Sequence, residues 1–220
     1  MRLRGRAATT LELQAYSAGQ NLVSGKHIVS YDAGGGVLTD FTFPSNVDNA
    51  ANQATILVAN AGLVNGVTPD FDTGDLNVDN TGGTVCYTDS SITVALDCVA
   101  FDHANDMNPF TVPSFNPPQF GTPFILPRAN LNGQSVIRTI SRGCTTALDT
   151  ADDTNSAADF TLGAGTPRNN ATTPTETVCP PAPPSPSTPG SSAKKKCKKK
   201  KHKRSAESAK KKKCKEKKKH

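Results

Sequence analysis

The C-terminal segment Lys194–His220 cannot enter any core, and this limits what the rest of the chain can fold into. It carries sixteen lysines and Arg204 against two glutamates, a net charge of +15. The remaining residues hold eight basic and seventeen acidic side chains, net −9, so the overall +6 describes neither part. Like charges at that density repel one another and keep the segment solvated and extended. Ahead of it, CPPAPPSPSTPGSSA at 179–193 is too poor in apolar surface to order itself and reads as a semi-rigid, partly polyproline spacer. Four segments follow: a disordered basic 1–9, a folded 10–178, a Pro/Ser-rich linker 179–193 and a disordered Lys-rich tail 194–220. The folded part is long enough for one domain around one core.

Helical periodicity is nearly absent from that part. Short alternating or β-branched runs are separated by Gly, Asn, Asp and Pro, the pattern of an all-β sandwich or barrel. Strands are expected at Leu11–Tyr16, His27–Tyr31, Val37–Phe43, Thr55–Ala59, Thr84–Tyr87, Ile92–Ala100 and Gln134–Ile140, with a short closing extension at Asp159–Leu162. Asp32–Gly36 supplies a glycine-rich turn. Thr55–Ala59 is a continuous apolar run and reads as a central strand. Thr84–Tyr87 and Ile92–Ala100 read as a hairpin. The number of strands suits two packed antiparallel sheets. The first strand begins so far from Met1 that the sheet would lack an opening strand.

Asn108–Pro127 resists assignment to any element. Its prolines remove backbone donors and forbid a central strand. Phe110, Phe115, Phe120 and Phe124 nevertheless offer much apolar area. The favoured reading is an irregular connection pinned across the sandwich by its phenylalanines, and the competing one an exposed aromatic binding loop.

Cys86, Cys98, Cys144 and Cys179 lie in a loop-rich context with no CxxC pair and no clustered Cys/His set. That pattern suits disulfides in an oxidising compartment better than a metal site. Cys86 and Cys98 flank the expected hairpin. A bridge there would close a short loop and stabilise by on the order of 3 kcal/mol, provided the Cα atoms come within about 7 Å. Cys144–Cys179 is the residual pairing. No stretch is apolar and long enough to span a bilayer, and no leader of the secretory type precedes LELQAY.

LELQAYSAGQNLVSGKHIVSYD, FTFPSNVDNAANQATILVA, LDCVAFD and DDTNSAADFTLGAGTPRNNA together resemble a bacterial lamin tail domain. Glu12, Leu13, Asn155, Ser156, Asp159, Phe160, Thr166, Pro167 and Arg168 occupy the matching positions, and the resemblance covers about Thr10–Thr173. It implies an immunoglobulin-like antiparallel β-sandwich in a secreted or envelope-associated protein, with no catalytic residues to carry over. It also implies an opening strand and a signal peptide, both missing here, so the true start is expected upstream of Met1.

Candidate chemistry is sparse. Asp70, Asp72, Asp75, Asn77 and Asp79 form an oxygen-rich stretch of the kind calcium takes, but the glycine and glutamate of an EF-hand are out of place. A solvated acidic loop with Asx turns is the better reading, and the same holds for Asp149, Asp152, Asp153 and Asn155. His27 and His103 are the histidines of the body, and neither GxSxG, HExxH nor a Walker-type loop is present. Both read as ordinary surface histidines. Asp102 and His103 would point to opposite faces of a strand. No enzyme, metal or cofactor is implied.

The tail repeats itself imperfectly, KKKCKKKKH then KKKCKEKKKH. Its lysines disfavour a bound cation and should lower the thiol pKa of Cys197 and Cys214. A polyanion site is assigned to Lys194, Lys195, Lys196, Lys198, Lys199, Lys200, Lys201, Lys203, Arg204, Lys210, Lys211, Lys212, Lys213, Lys215, Lys217, Lys218 and Lys219. Such a block binds anionic cell-wall polymers, lipid headgroups or nucleic acid through counterion release and screened attraction, without reading sequence. The expectation is a non-enzymatic extracytoplasmic module held on anionic envelope polymers. A non-specific nucleic-acid binder and an accessory domain of a surface hydrolase are the alternatives. A solubilising appendage is the plain reading of the tail.

Overall fold

The structure, a computed structural model, describes residues 10–60, 62, 64–74, 76–79, 82–102, 121–126, 134–140, 143–149 and 155–180, with 2–4 and 103 as backbone. The tail lysines, Cys197, Cys214, linker residues 181–193, Asp75, Asp152, Asp153, Phe110, Phe115 and Phe120 lie outside the described residues.

The described chain is all-β apart from one helical turn. The first sheet contains β1 (Arg2–Arg4), β2 (Thr10–Gln14), β5 (Thr55–Ala59), β6 (Phe71–Asp72), β10 (Gln134–Arg138) and β11 (Phe160–Ala164), in the order β11-β10-β1-β2-β5-β6. The second contains β3 (His27–Asp32), β4 (Val37–Thr42), β7 (Gly82–Thr88), β8 (Ala95–His103) and β9 (Phe124–Leu126), in the order β4-β3-β7-β8-β9. Both contribute to one apolar cluster. Leu11, Ile56, Val58, Val136 and Phe160 come from the first; Ile28, Val85, Val99, Phe101 and Leu126 come from the second. Phe43, just past β4, sits against Phe71 and Tyr87 with ring centroids 5.2 and 6.0 Å away, both edge to face.

Alternation explains which side chains point inward. In β2, Leu11 and Leu13 face the cluster while Thr10, Glu12 and Gln14 face away. The apolar run of β5 is buried on every residue. Ile56 and Val58 enter the core, and Leu57 and Ala59 meet Val64 and Val67 on the other side. A strand covered on both faces is written as a continuous hydrophobic run.

Three features depart from expectation. Arg2–Arg4, within the 1–9 segment expected to be disordered, pairs with β2 (Leu3↔Leu11) and with β10 (Leu3↔Val136). It fills the gap between two strands that each need a partner, and so supplies an opening strand too short to signal itself. The sheets are not wholly antiparallel, since β5–β6 and β8–β9 are parallel pairs. Their connections, 60–70 and 104–123, are long enough for a crossover, which a hairpin turn is not. Finally, Phe124–Leu126 of the Pro/Phe segment forms β9, and Phe124 packs on the core.

β7 and β8 form the expected antiparallel pair, with Cys86 directly opposite Cys98. Gly83 is fixed by close approach. A Cβ there would lie 2.3 Å from the Tyr31 carbonyl oxygen and 3.6 Å from the Phe101 ring. The β3–β4 turn is closed by Asp32, whose Oδ1 accepts from the Gly36 N–H at 2.8 Å, with Gly35 at φ +84°.

Candidate functional site

After β11 the chain runs as a strap, 165–180, over the outward face of β2 and β5. What it covers is polar. Glu12, on that face, is 4% exposed. The Arg168 backbone N–H donates to Glu12 Oε2 at 2.9 Å, and its Nη2 lies 3.5 Å from Oε1. The other arm of the guanidinium, Nη1, lies 2.6 Å from Glu176 Oε1. Gln14 Nε2 donates to that same Glu176 oxygen and to Gln53 Oε1, each at 3.0 Å. Gln53 then exchanges two bonds with the Leu148 backbone, N–H to Oε1 at 2.8 Å and Nε2 to the carbonyl at 3.1 Å. Burial would raise the Glu176 carboxyl, but the Arg168 guanidinium and neighbouring N–H donors outweigh it and hold the group below its ordinary range.

Asn170 is the second anchor. Its Oδ1 accepts from the Asn49 N–H at 2.7 Å, its Nδ2 donates to the Thr55 carbonyl at 3.0 Å, and its N–H donates to Asp70 Oδ2 at 2.8 Å. Asp70 also accepts from the Leu57 N–H at 2.8 Å. Burial raises the Asp70 carboxyl, against the pull of those two N–H donors. Asp70 is therefore no part of a solvated acidic loop: it caps strand and strap backbone. Asp72 does form an Asx turn, accepting from the Gly74 N–H at 2.9 Å.

The end of the strap is latched twice. Thr146 donates its N–H to the Thr177 carbonyl at 3.0 Å and accepts from the Thr177 N–H at Oγ1 at 2.8 Å. The Cys144–Cys179 disulfide follows, with Cα atoms 5.4 Å apart. Cys86–Cys98 is the other disulfide among the described residues, with Cα atoms 4.1 Å apart. The two differ in access: Cys86 and Cys98 are 0% and 2% exposed, whereas Cys144 is exposed and Cys179 half-buried.

Beside the strap a cleft of about 370 Å³ opens between the sheets, where β2 ends and β3 begins. Its lining includes Leu13 and Ile56 from the first sheet and Tyr87 and Leu96 from the second. Tyr16, Leu22 and Leu96, 45%, 62% and 40% exposed, form its rim. Burial pushes the Tyr87 hydroxyl far above its usual range, so it stays protonated. Two charged residues reach the lining, Lys26 and Asp97. Asp97 Oδ1 lies 2.6 Å from Arg138 Nη2, and the same guanidinium sits 4.7 Å over the Phe160 ring. Lys26 has no ion-pair partner among the described residues.

Of the residues on which the lamin-tail resemblance rests, Glu12 and Leu13 lie in β2, and Asn155, Ser156, Asp159 and Phe160 build the turn into β11. Asn155 caps α1 (Ser156–Asp159), accepting from the Ala157 N–H at 3.1 Å, while Asp159 Oδ2 accepts from the Asn155 N–H at 2.7 Å. Ser156 Oγ accepts from the Ala100 N–H at 3.0 Å. His27 is more than a surface histidine. Its Nδ1 lies 2.6 Å from Asp40 Oδ1 and 3.2 Å from Thr42 Oγ1, tying β3 to the edge strand β4. Among the described residues no three His, Cys, Asp or Glu side chains gather as a metal site. The cleft carries no local motif. Lys26 lies far in sequence from Tyr87 and Leu96, and Leu96 alternates with Ala95 and Asp97 as any strand residue would.

No known protein family, curated protein or solved structure matches this chain.

Proposed function

We propose that this protein is a non-enzymatic, extracytoplasmic module. In this reading a lamin-tail-like head of immunoglobulin type is held on anionic envelope polymers by Lys194–His220. The observation that carries it is the anchoring of the chain as far as Cys179, joined covalently to Cys144, so close before the lysines begin at Lys194. A cationic segment joined through a Pro/Ser spacer to so firmly fastened a point suits a tether. Two sheets around a shared core support the head assignment, as does the closure built by Asn155, Ser156, Asp159 and Phe160. One feature departs from antibody-type domains, whose disulfide joins the two sheets: Cys86–Cys98 joins neighbours within one sheet. Two disulfides point to an oxidising compartment. No helix among the described residues is long and apolar enough to cross a membrane.

The test compares the full chain with one ending at residue 193. Retention is measured on teichoic acid-bearing walls, anionic vesicles and duplex DNA across a salt series. The tether reading expects wall retention that requires 194–220 and falls steeply with salt, as counterion release demands. Equal retention of the shortened chain in dilute buffer would refute it. Retention on DNA but not on walls would replace it with the nucleic-acid reading.

A further inference from the structure

We propose that the cleft between the two sheets binds a small amphiphile with an anionic head, a medium-chain carboxylate in its simplest form. The chain would lie against Leu13, Ile56 and Tyr87, and the carboxylate would meet the Lys26 ammonium. This inference concerns the head alone and does not rest on the tether reading.

The lining selects this class by elimination. The volume, about 370 Å³, falls in the lower part of the range for small-molecule sites. A sugar would need several spare amides, but the amides here are largely occupied. Gln20 Oε1 accepts from the Tyr16 and Ser17 N–H groups. Asn21 Nδ2 donates to the Val47 carbonyl, and Asn49 Nδ2 to that of Asn170. A cationic ligand would need a free carboxylate, but Asp97 already faces Arg138 at 2.6 Å. What remains is an apolar slot, open between the layers, with one cation at its wall that is unpaired among the described residues. A carboxylate there forms a charge-assisted hydrogen bond to Lys26, while its alkyl chain covers apolar surface that is otherwise wet.

The experiment is a titration of the full chain, followed by ¹⁵N amide shifts, with octanoate, octanol and octylamine. Octanoate should saturably shift the amides of Leu13, Ile56, Tyr87 and Leu96. Octanol binding, and octanoate binding to Lys26→Met, should each be roughly tenfold weaker, the loss of one charge-assisted bond. Leu96→Asp, a change at a half-exposed rim position, should abolish octanoate binding while leaving the thermal melt unchanged. Octanoate shifts confined to 194–220 would overturn the proposal, as would shifts at the four cleft residues that Lys26→Met leaves unaltered. Octylamine binding as tightly as octanoate would do the same. Collection of octanoate by the tail lysines reads out at other resonances, so failure here and failure of the tether reading are told apart.

Discussion

Replacing Arg168 with Met keeps much of the side chain's bulk and removes the guanidinium that stands between two carboxylates. In the native protein Nη1 lies 2.6 Å from Glu176 and Nη2 lies 3.5 Å from Glu12, whose side chain is 4% exposed. Breaking a buried ion pair by removing one partner costs about 3–5 kcal/mol, because the other charge stays desolvated. Arg168 and Glu176 retain side-chain exposures of 17% and 11%, so some water reaches them and the lower end, about 3 kcal/mol, is expected. For a domain of this size that is a fall in Tm of roughly 6–12 °C. The assay is urea or thermal unfolding under non-reducing conditions, so that both disulfides stay closed. A pH series adds an independent check. Because the folded Glu176 carboxyl lies below its ordinary value of 4.5, its contribution is complete above that pH and is lost as the solution is acidified through the folded value. Arg168→Met should flatten this acid limb as well as lower stability at neutral pH. A variant within about 0.5 kcal/mol of the parent, the range of ordinary surface changes, would refute the reasoning, as would an unaltered acid limb.

Three further outcomes rest on one close approach and on the two bridges described. Gly83→Ala should destabilise by about 3 kcal/mol or more, since a Cβ 2.3 Å from the Tyr31 carbonyl forces β3 and β7 apart; denaturant unfolding matching the parent would show that the strands yield freely. Mild reductant followed by alkylation should label Cys144 and Cys179 under native conditions, while Cys86 and Cys98, at 0% and 2% exposure, should require denaturant. Opening the first bridge releases a loop spanning 35 positions and should cost about 4 kcal/mol on the chain-entropy account; peptide mapping that finds Cys86 labelled first would contradict this order.

Strands whose pattern is set by burial were legible from the sequence. Thr55–Ala59 announced a central strand, and the segments carrying Cys86 and Cys98 announced neighbours. Elements defined by what they lie against were not. Arg2–Arg4 and Phe71–Asp72 are too short to show a period, and each is a strand because an edge was waiting for it. The strap is a harder case. Nothing in TPRNNATTPTETV names a partner, and only the fold shows that Arg168 and Asn170 satisfy groups on β2 and β5. Glu12 carried a partial signal, a charged residue within an apolar alternation, which requires either solvent or a partner. The cleft left no trace, because its residues come from separate strands and meet only at the open end of the two layers.

The bridge between Cys144 and Cys179 has a mechanical consequence. Residues between the two cysteines form a covalently closed loop, so tension arriving from the C-terminal side passes at Cys179 across the sulfur atoms to Cys144. The bonds of Arg168, Asn170 and Glu176 hold that loop to Glu12, Gln14, Asn49 and Asp70 outside it, and they are loaded together rather than in turn. A pull that would otherwise peel the strap away residue by residue must also draw on β10, which is hydrogen-bonded along both edges. Reducing one exposed bond would turn a shear-resistant anchor into one that unzips.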